Sequence, residues 1–118
     1  MGAGRMRRVD EAVREVLSDA ITRDLQDPRI GFVTVTAVDT SPDLRHARVH
    51  VSILGDEAVR AASLEGLRSA HGYLQRRVGD ELRLKHTPTL EFSYDDSVDR
   101  GIRIEQLLHA DDEDGGGS

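Results

Sequence analysis

Residues 57–82 read EAVRAASLEGLRSAHGYLQRRVGDEL, and this stretch decides the fold. Its apolar residues recur at the three- and four-residue spacing of an amphipathic helix, and Gly72 divides them into two runs. The runs are Val59, Ala62, Gly66, Leu67 and Ala70, then Leu74, Val78 and Leu82. A glycine inside a helix costs about 1 kcal/mol relative to alanine. The pattern therefore predicts two packed half-helices joined by a kink at Ala70 and Gly72.

Two strands precede this helical pair. Residues 30–38 are rich in β-branched side chains, and residues 46–53 alternate between polar and apolar ones. Turn-forming residues 40–43 separate the two segments. Because such clean alternation is typical of a strand with one solvated face, the pair predicts an antiparallel hairpin.

A helix comes before the hairpin, and a third strand follows the helical pair. The helical pattern runs from Val9 to Leu25 and ends before Pro28, whose ring disfavours helical geometry at the preceding residue. Residues 90–94 alternate again and predict the third strand. A short last helix is expected after residues 95–97, which can cap it; its apolar positions are Ile102, Ile104, Leu107 and Leu108.

The order α-β-β-α-kink-α-β predicts one α+β domain with its helices on one face of a three-stranded sheet. The length of 118 residues fits a single domain, which we place at residues 5–109. Residues 1–4 and the acidic, glycine-rich residues 110–118 are expected to be disordered. With no cysteine and no apolar run long enough to cross a bilayer, the chain is expected to be cytoplasmic, without disulfides or a membrane partner.

The formal net charge of −6 argues against a nucleic-acid partner until it is divided by segment. Residues 1–8 and residues 60–86 each carry +3, whereas the intervening segment and both later ones are acidic. Fifteen of the sixteen basic residues are arginine, which is suited to forked phosphate contacts. Biased codon usage in a GC-rich genome would give the same excess of arginine over lysine.

Enzyme chemistry finds little support in the sequence. Asp95, Asp96 and Asp99 could serve a metal-dependent hydrolase, but residues of this kind also cap helices. His46 and His50 share a strand face but lie about 13 Å apart, too far for one metal ion. No nucleophile elbow, phosphate-binding loop or dinucleotide fingerprint occurs. We expect no catalytic residue, metal, cofactor or small-molecule substrate.

Cationic side chains offer a more coherent pattern. Arg76 and Arg83 lie on one side of the second half-helix, away from its apolar stripe, and Arg77 and Lys85 flank them. With an N-terminal arm of Arg5, Arg7 and Arg8, they form a candidate RNA-binding set. A solvated helix face would produce the same spacing. Aromatic base stacking is not expected to contribute, since Phe92 and Tyr94 share the core-facing side of their strand with Leu90.

The chain resembles the ribosome-binding factor A family over about residues 5–108. The blocks that carry the resemblance are Asp27-Pro28-Arg29-Ile30-Gly31-Phe32-Val33-Thr34-Val35-Thr36, Ser41-Pro42-Asp43-Leu44, Val51-Ser52-Ile53-Leu54-Gly55, Ala70-His71-Gly72-Tyr73-Leu74 and Thr87-Pro88-Thr89-Leu90-Glu91-Phe92. The resemblance implies a type II KH-like fold in which an Ala-x-Gly kink replaces the usual GxxG loop.

The resemblance also implies a function and adds two candidate site residues. The family is a non-enzymatic assembly factor that binds the immature 30S subunit and assists late maturation of 16S rRNA at its 5′ end, with a link to growth in the cold. Arg29 and His71 join the candidate RNA-binding set on this basis. Gln75 and Lys85 depart from the family pattern, which has a basic residue and an arginine there.

Two alternatives stay open at this point. The chain could be a KH-like protein-interaction module that uses its acidic faces on a basic partner, with no rRNA role. Asp27 and Pro28 could serve only to end the helix and form the turn, and Arg29 could merely pair with a carboxylate. We expect a monomer in either case.

Overall fold

The computed structural model describes residues 3–97, with side chains from Met6 onward, and arranges them as three helices packed on a three-stranded sheet. In chain order the elements are α1 (Ala3–Arg23), β1 (Val33–Thr40), β2 (His46–Ile53), α2 (Glu57–Ser69), α3 (His71–Leu82) and β3 (Thr89–Tyr94). The predicted α+β architecture and its element order are confirmed.

The central strand of the sheet is β2. It pairs antiparallel with β1, from Val33 opposite Ile53 to Thr40 opposite Ala47, with a bulge between Val35 and Ala37. It pairs parallel with β3. The antiparallel hairpin is confirmed, and the helical pair α2–α3 is the crossover that a parallel neighbour requires.

The hydrophobic core lies between the helices and one face of the sheet. Side chains that are fully buried come from every layer: Val13 and Leu17 from α1, Leu67 from α2, Leu74 and Val78 from α3, and Val49 and Val51 from β2. The alternating polar residues of β2 face the opposite, solvated side of the sheet. The two apolar runs that flank Gly72 therefore pack as the sequence predicts.

The break between the two half-helices lies at Ala70. Its backbone dihedrals are φ −91° and ψ 6°, and its N–H donates to the carbonyl oxygens of Gly66 and Leu67, each at 3.1 Å. Gly72 lies inside α3, and a Cβ built on it would meet no heavy atom within 4 Å. The kink is confirmed at Ala70, whereas the packing around Gly72 does not require a glycine.

Several predicted boundaries differ from the structure. β1 begins at Val33 because the preceding loop is fastened to α2 by contacts described below. α1 begins at Ala3, inside residues 1–4, so Arg5 to Arg8 continue the helix instead of forming a separate arm. The predicted last helix with Ile102 and the tail 110–118 lie outside the described residues.

The outer edge of β3 is covered by side chains of the helical pair. The Oε1 atom of Gln75 accepts a hydrogen bond from the Leu90 N–H at 3.2 Å, and Arg68 donates to the Phe92 carbonyl oxygen at 3.5 Å. A lysine or arginine at position 75 could not accept this bond. Gln75 thus supplies an acceptor to an edge strand.

Candidate nucleic-acid interface

Arg76, Arg83 and Lys85 form a cationic surface on α3 and the loop that follows it. All three side chains are exposed, and no ion pair found between Met6 and Ser97 involves any of them. Seven residues separate Arg76 from Arg83, which is nearly two helical turns and places both on one side of the helix. We call these three residues the cationic surface of α3.

Arg83 occupies a backbone conformation that glycine adopts more readily. It ends α3 at φ 50° and ψ 44°, and its N–H donates to the Gly79 carbonyl oxygen. The left-handed region costs a residue with a Cβ on the order of 1 kcal/mol. A cation near a helix C-terminus recovers part of this cost through the helix dipole. The side chain is therefore held at a position where backbone stability alone would favour glycine.

The kink end of α3 has features that suit a phosphate. Its first turn contains no acidic residue, and no side chain caps it at Ala70. His71 donates from Nδ1 to the carbonyl oxygen of Arg68 at 2.8 Å, which orients the exposed imidazole. Because Gly72 carries no side chain and has open space around it, a ligand backbone can approach α3 closely here.

Arg77, in contrast, is occupied by carboxylates. It pairs with Asp24, with Asp19 at 3.3 Å and with Glu81 at 2.6 Å, and its side chain is largely buried. Tyr73 donates to the same Asp24 at 2.5 Å. These contacts join α3 to α1 in antiparallel orientation and give Arg77 a structural role, although its spacing placed it in the candidate set.

Arg29 is likewise paired. Its guanidinium donates to Asp27 through Nε at 3.1 Å and through Nη2 at 2.6 Å, and Nη1 lies 3.6 Å from Glu65. Asp27 also accepts from the Arg29 backbone N–H at 2.9 Å. These hydrogen bonds lower the pKa of Asp27 below its ordinary value. The interpretation of Asp27 as a turn former and the carboxylate partner expected for Arg29 both agree with this geometry.

Ser63, which the sequence pattern did not indicate, and Gly66, expected only as part of the apolar run, fix this loop to α2. The fully buried Ser63 donates from its hydroxyl to the Arg29 carbonyl oxygen at 3.3 Å and accepts from the Gly31 N–H at 3.1 Å. A Cβ at Gly66 would come within 2.6 Å of the Ile30 side chain. A serine at a core-facing helical position was the available sequence signal, because a buried hydroxyl needs partners.

The N-terminal cations whose side chains are described lie on α1. Arg7 and Arg8 are exposed on α1. Since α1 and α3 are antiparallel, the N-terminal half of α1 lies toward the end of α3. The side chain of Arg5 lies outside the described set. The candidate cations are thus spread over α1, the loop that follows it, and α3 with its own following loop, and Arg77 is held in an ion-pair network.

The aromatic side chains do not all pack as expected. Phe92 is buried, with 3% exposed, which agrees with the prediction for its strand. Phe32, however, is 79% exposed. It precedes β1, and although its carbonyl oxygen accepts from the Leu54 N–H at 3.0 Å, its side chain lies in solvent. The exposed ring of Phe32 is accessible to a partner, which the strand pattern of Phe92 and Tyr94 did not indicate.

Asp95 has a structural role. It accepts from the Thr36 hydroxyl at 2.7 Å and from the Ser97 N–H at 2.9 Å, and these bonds lower its pKa to about 2. A carboxylate held ionised in this way is unsuited to act as a general acid near neutral pH. Across the side chains from Met6 to Ser97, no three His, Cys, Asp or Glu residues cluster as metal ligands. Asp99 lies outside that range.

Membrane insertion through a helix finds no support either. Within residues 3–97, none of the helices combines the length and the apolar character that crossing a bilayer requires.

Comparisons with known proteins identify the family. The profile of "Ribosome-binding factor A" matches residues 5–108. The protein of that name from Halothermothrix orenii is 47% identical over 104 residues, covering 88% of this chain and 85% of its own length. Its Geobacter sulfurreducens counterpart is 44% identical over 104 residues, with 88% of each covered.

Solved structures agree with this match. The crystal structure of ribosome-binding factor A from Thermus thermophilus superposes with a TM-score of 0.67 at 28% identity, covering 75% of this chain and 94% of that one. A solution structure of a ribosome binding factor A from Thermotoga maritima gives 0.71 at 33% identity, covering 79% and 89%. A homology model of the Thermus thermophilus factor, fitted into the cryo-EM map of its 30S complex, gives a TM-score of 0.63 at 28% identity, covering 74% of this chain and 91% of that one. With a profile that spans nearly all the described residues and relatives above 40% identity, the chain belongs to the ribosome-binding factor A family.

Proposed function

We propose that this protein is a non-enzymatic assembly factor that binds free or immature 30S ribosomal subunits in the cytoplasm. In this proposal it acts as a monomer, needs no cofactor or small-molecule substrate, and assists late maturation of 16S rRNA, including its 5′ end. The same activity would contribute to growth in the cold, where RNA structures rearrange slowly.

The observation that carries the proposal is family membership over the whole domain. The relatives in Halothermothrix and Geobacter bear the name of a ribosome-binding factor, and the Thermus relative has been fitted as a 30S complex. At 47% identity over 104 residues, the fold and its exposed surfaces are expected to be shared. Binding to the small subunit is the property that this similarity supports most directly.

The cationic surface of α3 supports rRNA as the contacted component. Arg76, Arg83 and Lys85 form no ion pair within 4 Å in the described part of the chain, so each can displace a counterion from a phosphate. The bare backbone at Gly72 offers a second approach for the RNA backbone. Recognition would follow RNA shape, since phosphate contacts carry no base identity.

The rigid α+β body then explains how a protein without catalytic residues could assist maturation. A preformed domain that holds rRNA segments apart, or in place, biases the equilibrium among their conformations by its differential affinity. Release would follow when the mature arrangement no longer fits the bound surface.

Sedimentation through a density gradient tests the proposal. Purified protein mixed with immature small subunits in low salt should travel with the subunits and should return to the top of the gradient in high salt. The complex should also dissociate after ribonuclease treatment. Protein that stays at the top in low salt, with immature subunits present, would contradict the proposal.

The alternative is a protein-interaction module with no rRNA role. It predicts a partner complex that forms without subunits and survives ribonuclease unchanged. The same gradient, run with and without nuclease, separates the two functions.

A further inference from the structure

Two large apolar side chains stand exposed next to each other where β1 begins and β2 ends. Phe32 is 79% and Leu54 74% exposed, and their backbones are joined by a hydrogen bond of 3.0 Å from the Leu54 N–H to the Phe32 carbonyl oxygen. Val59, on the first turns of α2, is 38% exposed and lies beside both Gly31 and Gly55. We call Phe32, Leu54 and Val59 the apolar patch. Single exposed apolar residues are common, but adjacent ones mark an interaction surface.

The apolar patch is held rigidly. Phe32 follows the loop that Ser63 and Gly66 fasten to α2. Leu54 precedes Gly55, whose φ of 137° forms a turn so tight that a Cβ would come within 2.8 Å of Val59. Because both segments are fixed by the core, little conformational entropy remains to be lost when a partner covers them.

Carboxylates surround the apolar patch. Asp56 and Glu57 follow Leu54 and Gly55 and are exposed at the start of α2. Asp95 lies at the same end of the sheet, since its N–H donates to the Val51 carbonyl oxygen at 2.7 Å. Its low pKa, about 2, keeps it charged in all physiological conditions.

The nearby arginines do not make this surface cationic. Arg29 is paired with Asp27 and Glu65. Arg60 lies 5.0 Å above the ring of Tyr94, to whose hydroxyl it donates, and keeps its charge, but the carboxylates of Asp56, Glu57 and Asp95 outnumber it. A phosphate backbone would therefore meet an apolar centre with an acidic rim. This charge distribution disfavours RNA and favours a polypeptide of the opposite charge.

We propose that Phe32 and Leu54 form the centre of a docking site for a basic polypeptide segment, whose apolar side chain covers them while its lysines or arginines pair with Asp56, Glu57 and Asp95. The inference rests on the proposed function, because the polypeptide is a protein component of the small subunit. The domain then contacts its target with two chemically different surfaces: the cationic surface of α3 binds rRNA, and the apolar patch binds protein.

Site-specific photocrosslinking tests this assignment. The full-length chain carries a diazirine amino acid in place of Phe32, is bound to purified immature small subunits in low salt, and is irradiated. The expected product is an adduct that survives ribonuclease and contains a basic subunit protein. A matched chain with the diazirine at Lys85 is the control, and its adduct should be sensitive to ribonuclease.

Each other outcome has a defined meaning. An adduct of position 32 with RNA, an adduct with another segment of the same chain, or no adduct at position 32 while position 85 crosslinks, would each overturn the inference. Absence of subunit binding by the unsubstituted chain would overturn the proposed function itself and would remove the basis of this one.

Paired variants provide a second readout. The double change Phe32→Ser with Leu54→Ser should weaken subunit binding at least tenfold and leave the affinity for protein-free 16S rRNA unchanged. The double change Phe32→Leu with Leu54→Met keeps the apolar area and should retain subunit binding. Equal losses on subunits and on protein-free rRNA would contradict a protein partner. Unchanged melting temperatures would show that both variants fold, as expected for exposed positions.

Discussion

Two residues of the helical pair are not those that folding stability alone would select. Gly72 lies inside α3 with space for a side chain, and Arg83 takes a left-handed conformation at its end. Gly55 provides the contrast, because its positive φ and its contact with Val59 require glycine. Local strain that packing does not explain often marks a functional surface. Both positions lie in the candidate rRNA interface.

Replacing Arg83 with glycine should separate stability from binding. Arg83→Gly relieves the left-handed conformation and should raise the free energy of unfolding by about 0.5 kcal/mol. The affinity for small subunits should fall about tenfold, the loss expected for one charge-assisted contact. Thermal melting and subunit titration measure the two effects. Unchanged affinity would remove Arg83 from the interface.

Adding a methyl group at Gly72 should act in the same opposing way. Gly72→Ala should stabilise the protein by about 0.5–1 kcal/mol, because alanine favours the helix. Subunit binding should weaken several-fold, since the Cβ stands on the surface where the RNA backbone approaches. Thr22→Ala, an exposed helical position on α1, is the control and should change binding little. Tighter binding by Gly72→Ala would contradict a close approach at this position.

The loop between α1 and β1 packs against α2. Ser63 bonds both Arg29 and Gly31, and Gly66 leaves room for Ile30. The loop is therefore positioned by a helix that lies more than thirty residues later in the chain. This arrangement carries Phe32 out to solvent while Val33 enters the sheet.

Removing the Ser63 hydroxyl tests whether its hydrogen bonds hold the α1–β1 loop against α2. Ser63→Ala leaves the Gly31 N–H without its acceptor and should lower the free energy of unfolding by about 1–2 kcal/mol. Ser69→Ala, an exposed position on the same helix, should instead stabilise by a few tenths, about 0.4 kcal/mol. Chemical denaturation measures both variants, and amide exchange at Gly31 should accelerate only in Ser63→Ala. Equal stability of the two variants would show that the buried bonds do not fix the loop.

The hydrogen-bonded Asp95 carboxylate makes the free energy of unfolding depend on pH in the acidic range. Its folded-state pKa of about 2 lies below the ordinary value of 3.8, so its stabilisation is present above pH 4 and is lost as the pH falls toward 2. Asp95→Asn cannot titrate. Its single amide oxygen still accepts from the Ser97 N–H, and its NH2 group can donate to the Thr36 hydroxyl, which has the His50 carbonyl oxygen as an acceptor at 3.2 Å. The unfolding free energy of this variant should therefore change less than that of the wild type between pH 4 and pH 2. Parallel acid dependence of the two proteins would contradict this origin.

The sequence predicts elements better than it predicts partners. Apolar spacing alone reveals both half-helices and the strands, because burial of one face produces the period. It cannot reveal that Arg77 meets Asp24, 53 residues earlier, or that Arg29 is bound to Asp27. The sequence pattern also places Phe32 inside a strand, since its neighbours are β-branched. In the structure the contact of Ser63 with the preceding loop holds that loop against α2, and β1 begins only at Val33.

At the scale of the molecule, the net charge of −6 conceals two surfaces of different chemistry. The cationic surface of α3 retains unpaired positive charge, while Asp56, Glu57 and Asp95 surround the apolar patch. Each suits one component of a ribonucleoprotein. A small domain with both can recognise a particle in which rRNA and protein lie side by side.

The salt dependence of subunit binding is the measurement that tests the rRNA contact most directly. Affinity for purified immature small subunits is measured over a range of salt concentrations for the wild type and for the double change Arg76→Ala with Arg83→Ala. The matched control is Arg14→Ala with Arg23→Ala, which removes the same charge from arginines already paired on α1. The slope of log affinity against log salt should become shallower by about 1.5–2 in the first variant, because two phosphate contacts are lost. It should remain that of the wild type in the control. A slope unchanged by Arg76→Ala with Arg83→Ala, or one reduced equally by the control, would contradict rRNA binding through α3.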